Sequence, residues 1–368
     1  MMGRREYDTT ILLLAVVLTC LGVVMVYSAS AIMASQRFSD GFYFLKRQGI
    51  FAVAGFLVMA ACMRIDYHFW RRLTVPAMLS AVVLLTLVLI PGVGTQVGGA
   101  SRWLRLPGFS LQPAEVAKIA MVLYLAHSLT RKKDKVKSFK LGFLPYMVVL
   151  GVVLGLLLGQ PDLGSAMVIA GVAMAMLMVA GARLSYLISV GLLALPVLYV
   201  AIMQVDYRRR RIMAFLDPWE DPYNTGFQII QSWTAFGMGG AFGQGLGEGR
   251  QKLFYLPEAH TDFILSVIGE ELGFAGIIII AAMFLVFCLR GLRAAVQHQD
   301  DYGRHLAFGL TFLIGMEAFV NMGVVMGLLP TKGLALPFLS YGGTSLLTTL
   351  FAVGILLNIT SRNREGSP

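Results

Sequence analysis

The sequence predicts an all-α protein that crosses a lipid bilayer many times, and three observations carry that prediction. Only 14% of the 368 residues are charged while 57% are hydrophobic, whereas a soluble domain carries about 25% charged residues. Mean hydropathy is +0.73, which leaves too little polar surface to face water. The apolar residues also gather into runs near 20 residues long, about what a helix needs to span a hydrocarbon layer of ~30 Å.

Ten such segments are expected as transmembrane helices, at about 11–31, 48–64, 74–91, 113–130, 142–159, 164–181, 186–204, 263–289, 305–327 and 344–361. Arg4 and Arg5 ahead of the first run resemble a signal peptide. That run is longer than the ~7–15 apolar residues of a signal core, so a retained helix is expected. Lys and Arg are in excess on the side that holds the N-terminus, above all in the run from Arg131 to Lys137. By the positive-inside rule that side is cytoplasmic. Ten crossings then put both termini in the cytoplasm, and 1–368 reads as a single transmembrane domain. Its outer loops fall at 92–112, 205–262 and 328–343, the second being the large extracytoplasmic loop between helices seven and eight.

The formal net charge of +10 records topology here rather than a nucleic-acid partner. Cys20, Cys62 and Cys288 lie in apolar runs without a pairing motif and read as buried free thiols. No Cys/His cluster suggests a metal site.

Ionisable groups at a membrane cost at least ~2.5–3.5 kcal/mol each on insertion scales, so each needs a reason. Glu115 and Lys118 open the fourth span three residues apart, on one helical face. They fit either a structural ion pair or the wall of a polar cavity. Asp162, in Gln160-Pro161-Asp162-Leu163-Gly164, suits a helix N-cap. Asp262 enters the eighth span behind Glu258 and His260. It fits a cap equally, or a general base whose proton affinity is raised by partial desolvation. Glu270 and Glu271 lie deeper, and one must face the bundle interior. The glycine-rich run Gly237–Gly247 lacks the Gly-Lys-Ser/Thr ending of a phosphate loop and reads as a flexible connection. Arg208 to Arg211 either reach lipid phosphates at the interface or bind a diphosphate through bidentate guanidinium contacts. Arg102 and Trp103 fit a diphosphate and a stacked sugar, or an interfacial belt.

The motifs Gly99-Ala100-Ser101-Arg102-Trp103, Gln112-Pro113-Ala114-Glu115, Gln160-Pro161-Asp162-Leu163-Gly164, Asp217-Pro218-Trp219, Leu256 to Phe263, Gly269-Glu270-Glu271-Leu272-Gly273 and Gly327 to Ser345 resemble the SEDS family of shape, elongation, division and sporulation proteins. The resemblance runs through nearly the whole chain in order. Leu256 to Asp262 and Leu329-Pro330-Thr331-Lys332-Gly333-Leu334 look closer to the division branch than to the elongation branch. The chain departs from the family pattern at Gly98, Ala114 and Glu317, where Asn, Ser and Gln are usual. Glu317 adds a charge inside the ninth span that the sequence does not explain.

The resemblance implies a peptidoglycan glycosyltransferase that polymerises lipid II on the outer face of the bacterial cytoplasmic membrane, at the division septum. Asp262 matches the family's catalytic aspartate. Arg102, Trp103, Glu115, Lys118, Asp162, Arg210, His260, Lys332 and Ser340 are the expected substrate-binding residues. A divalent cation, Mg or Mn, is compatible with a diphosphate leaving group, although no ligand cluster establishes one. The implied partners are a class B penicillin-binding protein transpeptidase and other membrane proteins of the division machinery. The competing expectations are a lipid II flippase and a scaffold without chemistry.

Overall fold

The computed structural model describes residues 7–97, 100–106, 109–249, 256–257, 259–331 and 333–365. Glu258 and Lys332, two residues singled out above, lie outside the described residues, as does Gly98.

Every one of the ten apolar segments folds as a helix. In chain order these are α1 (Thr9–Phe38), α2 (Tyr43–Arg64), α4 (Thr74–Leu89), α5 (Pro113–Arg131), α6 (Leu144–Gly159), α7 (Leu163–Val179), α8 (Leu184–Met203), α11 (Ile264–Gln297), α12 (Asp301–Val325) and α13 (Gly343–Glu365). Seven of the helices among the described residues are long and apolar enough to cross a membrane, while α4 and α7 are shorter apolar helices. The short α3 (Tyr67–Arg72) links α2 to α4. Asp8 starts α1 by accepting from the amides of Thr10 and Ile11 at 2.9 and 3.1 Å, which satisfies two of the donors a helix start leaves open.

The core is built on α5, α12 and α13. Fourteen residues of α5 are buried, including Glu115 and Lys118, and α4, α7 and α12 pack around it. At the other extreme, Leu187 is the one buried residue of α8, whose apolar side chains face outward as lipid-facing helices do. The exposed Cys20 sits on such a face, while Cys62 is buried; all three thiols are free.

The outer connections carry more structure than the sequence predicts. Residues 92–112 form an antiparallel sheet of β1 (Gly94–Val97), β2 (Ala100–Leu106) and β3 (Phe109–Leu111), in that order. Thr95 pairs with Trp103, and a bulge follows it. The 205–262 segment holds α9 (Asp206–Leu216) and α10 (Phe227–Gly239). The 328–343 segment is irregular but tucked inside, with Leu334, Leu336, Phe338 and Leu339 all buried.

The glycine-rich run is not a free connection. α11 breaks at Gly273, where φ is 69° and ψ is −169°, a conformation essentially reserved for glycine. The break exposes backbone groups that lipid cannot satisfy, and the run after α10 satisfies them. The amides of Gln244 and Gly245 donate to the carbonyls of Glu270 and Glu271, both at 3.0 Å, while Phe274 and Ala275 donate to Gly240 and Ala241 at 2.9 and 3.0 Å. The glycines are there because two backbones must touch. Glu270 and Glu271 are both buried, and Ser28 Oγ donates to Glu271 at 2.6 Å, a packing role that joins α1 to α11.

Candidate active site

β2, α9 and the two irregular segments around Asp262 and Gly333 close over the N-terminal end of α5. Together they enclose a cavity of about 220 Å³ lined by Arg102, Trp103, Glu115, Arg211, Asp262 and Tyr341, among others. A smaller cavity of about 50 Å³ adjoins it, lined by Arg102, Asp162, Arg208, Arg211, Thr331 and Gly333. Arg102, Arg211 and Gly333 belong to both.

Asp262 directly precedes Phe263, the N-cap position of α11. Its main chain is held from beneath: Asn321 Nδ2 donates to the Asp262 carbonyl at 2.9 Å and to the Leu334 carbonyl at 2.6 Å. A methyl group added at Gly333 would lie 3.1 Å from Asp262 Oδ2 and 3.5 Å from Arg102 Nη1. Gly333 therefore packs closely against both the carboxylate and the guanidinium, and any side chain there would crowd them.

The cationic wall comes from two elements. Arg102 Nη2 donates to the Pro161 carbonyl at 2.5 Å. On α9, Arg208 donates to the carbonyls of Ala201 and Leu158 at 2.9 and 3.3 Å, and Arg211 to Thr331 at 3.2 Å. Neither Arg102 nor Arg208 has a carboxylate partner among the described residues, and the Nε of each is buried without a hydrogen bond. Burial, reinforced by the charge of Arg102, lowers the proton affinity of Arg208, although a guanidinium stays charged at neutral pH. Guanidiniums clustered in this way suit an anionic ligand.

Helical spacing decides which arginines take part. Residues 208 and 211 are three apart and share a face. Arg210, the position expected from the sequence, lies on the exposed side of α9 and outside both cavities.

Other expected binding residues sit elsewhere. Lys118 is buried between two carboxylates, donating to Glu115 at 2.7 Å and to Glu317. It lines a tight internal cavity, not the one holding Asp262. Committed to two carboxylates, it has no charge to spare for a phosphate, and the unexplained Glu317 has its partner. Glu115 lines both spaces and connects them. Asp162 is the N-cap of α7, with its oxygens on Ser165 N and Oγ at 3.2 and 2.8 Å, and it forms part of the smaller cavity's wall. Ser340 is buried; its hydroxyl donates to the Thr261 carbonyl at 2.6 Å and accepts from Leu336 N at 2.8 Å. It clamps the backbone beside Asp262. His260 packs on Phe44, ring centroids 4.7 Å apart, and its carbonyl accepts from Tyr341 N at 2.9 Å. The residues that the sequence did not single out are Arg211 as distinct from its neighbours, Tyr341, Asn321 and Gly333.

A carboxylate facing clustered guanidiniums at one end of a helical bundle suits transfer from an anionic leaving group. Comparison with known proteins places that arrangement in a family. The model of the FtsW, RodA and SpoVE cell cycle proteins matches residues 8–365. The chain belongs to this family. FtsW of Geobacter metallireducens, named a probable peptidoglycan glycosyltransferase, is 64% identical over 364 residues, covering 99% of this chain and 97% of the relative. Stage V sporulation protein E of Bacillus subtilis is 44% identical over 361 residues, covering 98% and 99%. Among solved structures, a chain from a study of polymerization and crosslinking by a peptidoglycan synthase complex superimposes with a TM-score of 0.80 at 30% identity, covering 98% of this chain and 99% of the other. The Thermus thermophilus rod shape determining protein RodA does so with a TM-score of 0.70 at 27% identity over the same shares.

Proposed function

We propose that the chain is a peptidoglycan glycosyltransferase that polymerises lipid II at the outer face of the cytoplasmic membrane during cell division. The single observation that carries the chemistry is the shared cavity of Asp262, Arg102 and Arg211. In this reading a sugar hydroxyl of the acceptor attacks the anomeric carbon of the donor. The bond from that carbon to the diphosphate oxygen breaks, the configuration inverts, and polyprenyl diphosphate leaves. Asp262 takes the hydroxyl proton, a step worth about 10²–10⁴-fold for a positioned base. Arg102, Arg208 and Arg211 stabilise charge as it develops on the diphosphate.

Among the described residues no three His, Cys, Asp or Glu side chains converge on a metal-sized space. In this reading Arg102, Arg208 and Arg211 supply positive charge to the diphosphate, and a divalent ion, Mg or Mn, would supply more when bound to it. In this reading the chain is one continuous domain of ten membrane crossings with cytoplasmic termini, an arrangement that would put both cavities on the outer side. The partner is a transpeptidase of the class B penicillin-binding type, acting with other septal membrane proteins, because a glycan strand has to be crosslinked.

The test compares wild type with Asp262→Asn, purified with the partner transpeptidase and supplied with lipid II. Wild type makes polymer; the variant keeps its partner and its monodispersity but loses at least about a hundredfold in rate. A variant as fast as wild type removes Asp262 from the chemistry. Wild type that moves lipid II across sealed vesicles yet never polymerises it is a flippase.

A further inference from the structure

A third cavity, of about 300 Å³, lies on the other side of Trp103 and is lined by Arg47, Phe51, Trp103, Arg105, Phe109 and Tyr341, among others. Trp103 and Tyr341 also line the cavity of Asp262, so the two spaces share a wall. Strand geometry separates the cations: successive side chains of a strand point to opposite faces. Arg102 looks toward Arg208 and Arg211, while Trp103 and Arg105 look the other way.

We propose that this chamber is a second saccharide-diphosphate subsite, which holds the acceptor while the donor's diphosphate sits on Arg102, Arg208 and Arg211. The assignment rests on the glycosyl-transfer reading. Transfer between two lipid-linked sugars needs two anion sites flanking one base, and this chamber brings two further guanidiniums, Arg47 and Arg105, to the far side of Trp103. Neither Arg47 nor Arg105 forms an ion pair among the described residues. The Arg47 guanidinium lies over the Tyr43 ring, 4.7 Å from its centroid, which orders it without neutralising it. Trp103 offers a flat face for a pyranose ring. Tyr341 offers a phenol that burial keeps protonated, with Arg47 working in the opposite direction. The chamber's volume falls at the small end of ligand pockets, about 300–1,000 Å³, room for a sugar and its phosphates with the lipid and peptide left outside.

The experiment uses the full chain with its partner and two analogues of lipid II. One has the attacking hydroxyl capped as a methyl ether and can only donate. The other has a methylene in place of the anomeric bridging oxygen and can only accept. Each pair condenses once, and mass spectrometry counts the product. Arg47→Gln/Arg105→Gln should raise the half-saturating acceptor concentration about tenfold or more and leave that of the donor within about twofold. Arg208→Gln should do the reverse. Arg105 is exposed, so the single Arg105→Gln provides a variant whose folding is not at risk, and it should shift the acceptor in the same sense. Unchanged acceptor saturation in both variants, or equal weakening of donor and acceptor, overturns the assignment. So does an acceptor effect confined to bilayers that contain anionic phospholipid, because the arginines then serve headgroups. Failure of wild type to polymerise unmodified lipid II sinks the functional reading itself and is a separate result.

Discussion

Asn321 reaches from α12 to hold the backbone carbonyl of Asp262 at 2.9 Å. The same amide nitrogen holds Leu334 at 2.6 Å, so one side chain ties the aspartate's segment to the buried loop that carries Gly333. Position, more than protonation, is what this contact controls. Asn321→Leu removes both hydrogen bonds and leaves two carbonyls unpaired. Polymerisation should fall by roughly a hundredfold, as a shift near 1 Å costs, with partner binding retained. Asn321→Asp should be as poor, because a carboxylate cannot donate to either carbonyl. Wild-type rates in both variants would refute a positioning role.

Gly333 is the second control on the same space. Gly333→Val places its Cβ 3.1 Å from Asp262 Oδ2 and 3.5 Å from Arg102 Nη1. Activity should drop at least about tenfold, and the unfolding temperature in detergent should change little. A large loss of thermal stability would mean that the glycine serves the fold.

The Lys118 trio predicts an asymmetric result. Lys118→Ala strands two buried carboxylates and should cost about 3–5 kcal/mol in stability, read as a lower midpoint of thermal unfolding. Glu317→Gln leaves one lysine on one glutamate and should cost under about 1.5 kcal/mol. Equal destabilisation by the two changes would contradict the ion-pair geometry.

Gly273→Ala tests the break in α11. Its positive φ is strained for any residue with a Cβ, and the added methyl would meet the backbone of Phe242 and Gly243. A destabilisation of about 1–3 kcal/mol or more is expected. Gly237→Ala, with open space around it, should be neutral.

Much of this molecule is legible in its sequence, for physical reasons. Bilayer thickness fixes the length of an apolar helix, so the apolar runs mark where helices fall, seven of them long and apolar enough to cross a membrane among the described residues. Ionisable groups are rare enough near lipid that Asp262, Arg102 and Glu115 stood out and proved to share one cavity. The misses have causes of a different kind. The Glu317 carboxylate meets Lys118 from 199 residues away, which no local pattern encodes. Asp162 reads as an N-cap and caps α7 through Ser165, while Ser340, expected from the family resemblance alone, holds the Thr261 carbonyl from 79 residues away. Taken as a block, the four arginines give no reason to prefer Arg211 to Arg210. Reading 206–216 as a helix would have separated them. The sheet left a readable signal too: glycines at 98 and 99 divide two short runs, as in a hairpin.

That sheet places a constraint on how the chain can vary. Because β2 delivers Arg102 to one side and Trp103 with Arg105 to the other, its reading frame matters as much as its composition. Inserting one residue before Arg102 would exchange the two faces and carry each cation to the wrong chamber; inserting two would restore them. Length changes in this segment should therefore survive in even steps alone, a parity rule imposed on evolution by the pleat of a single strand.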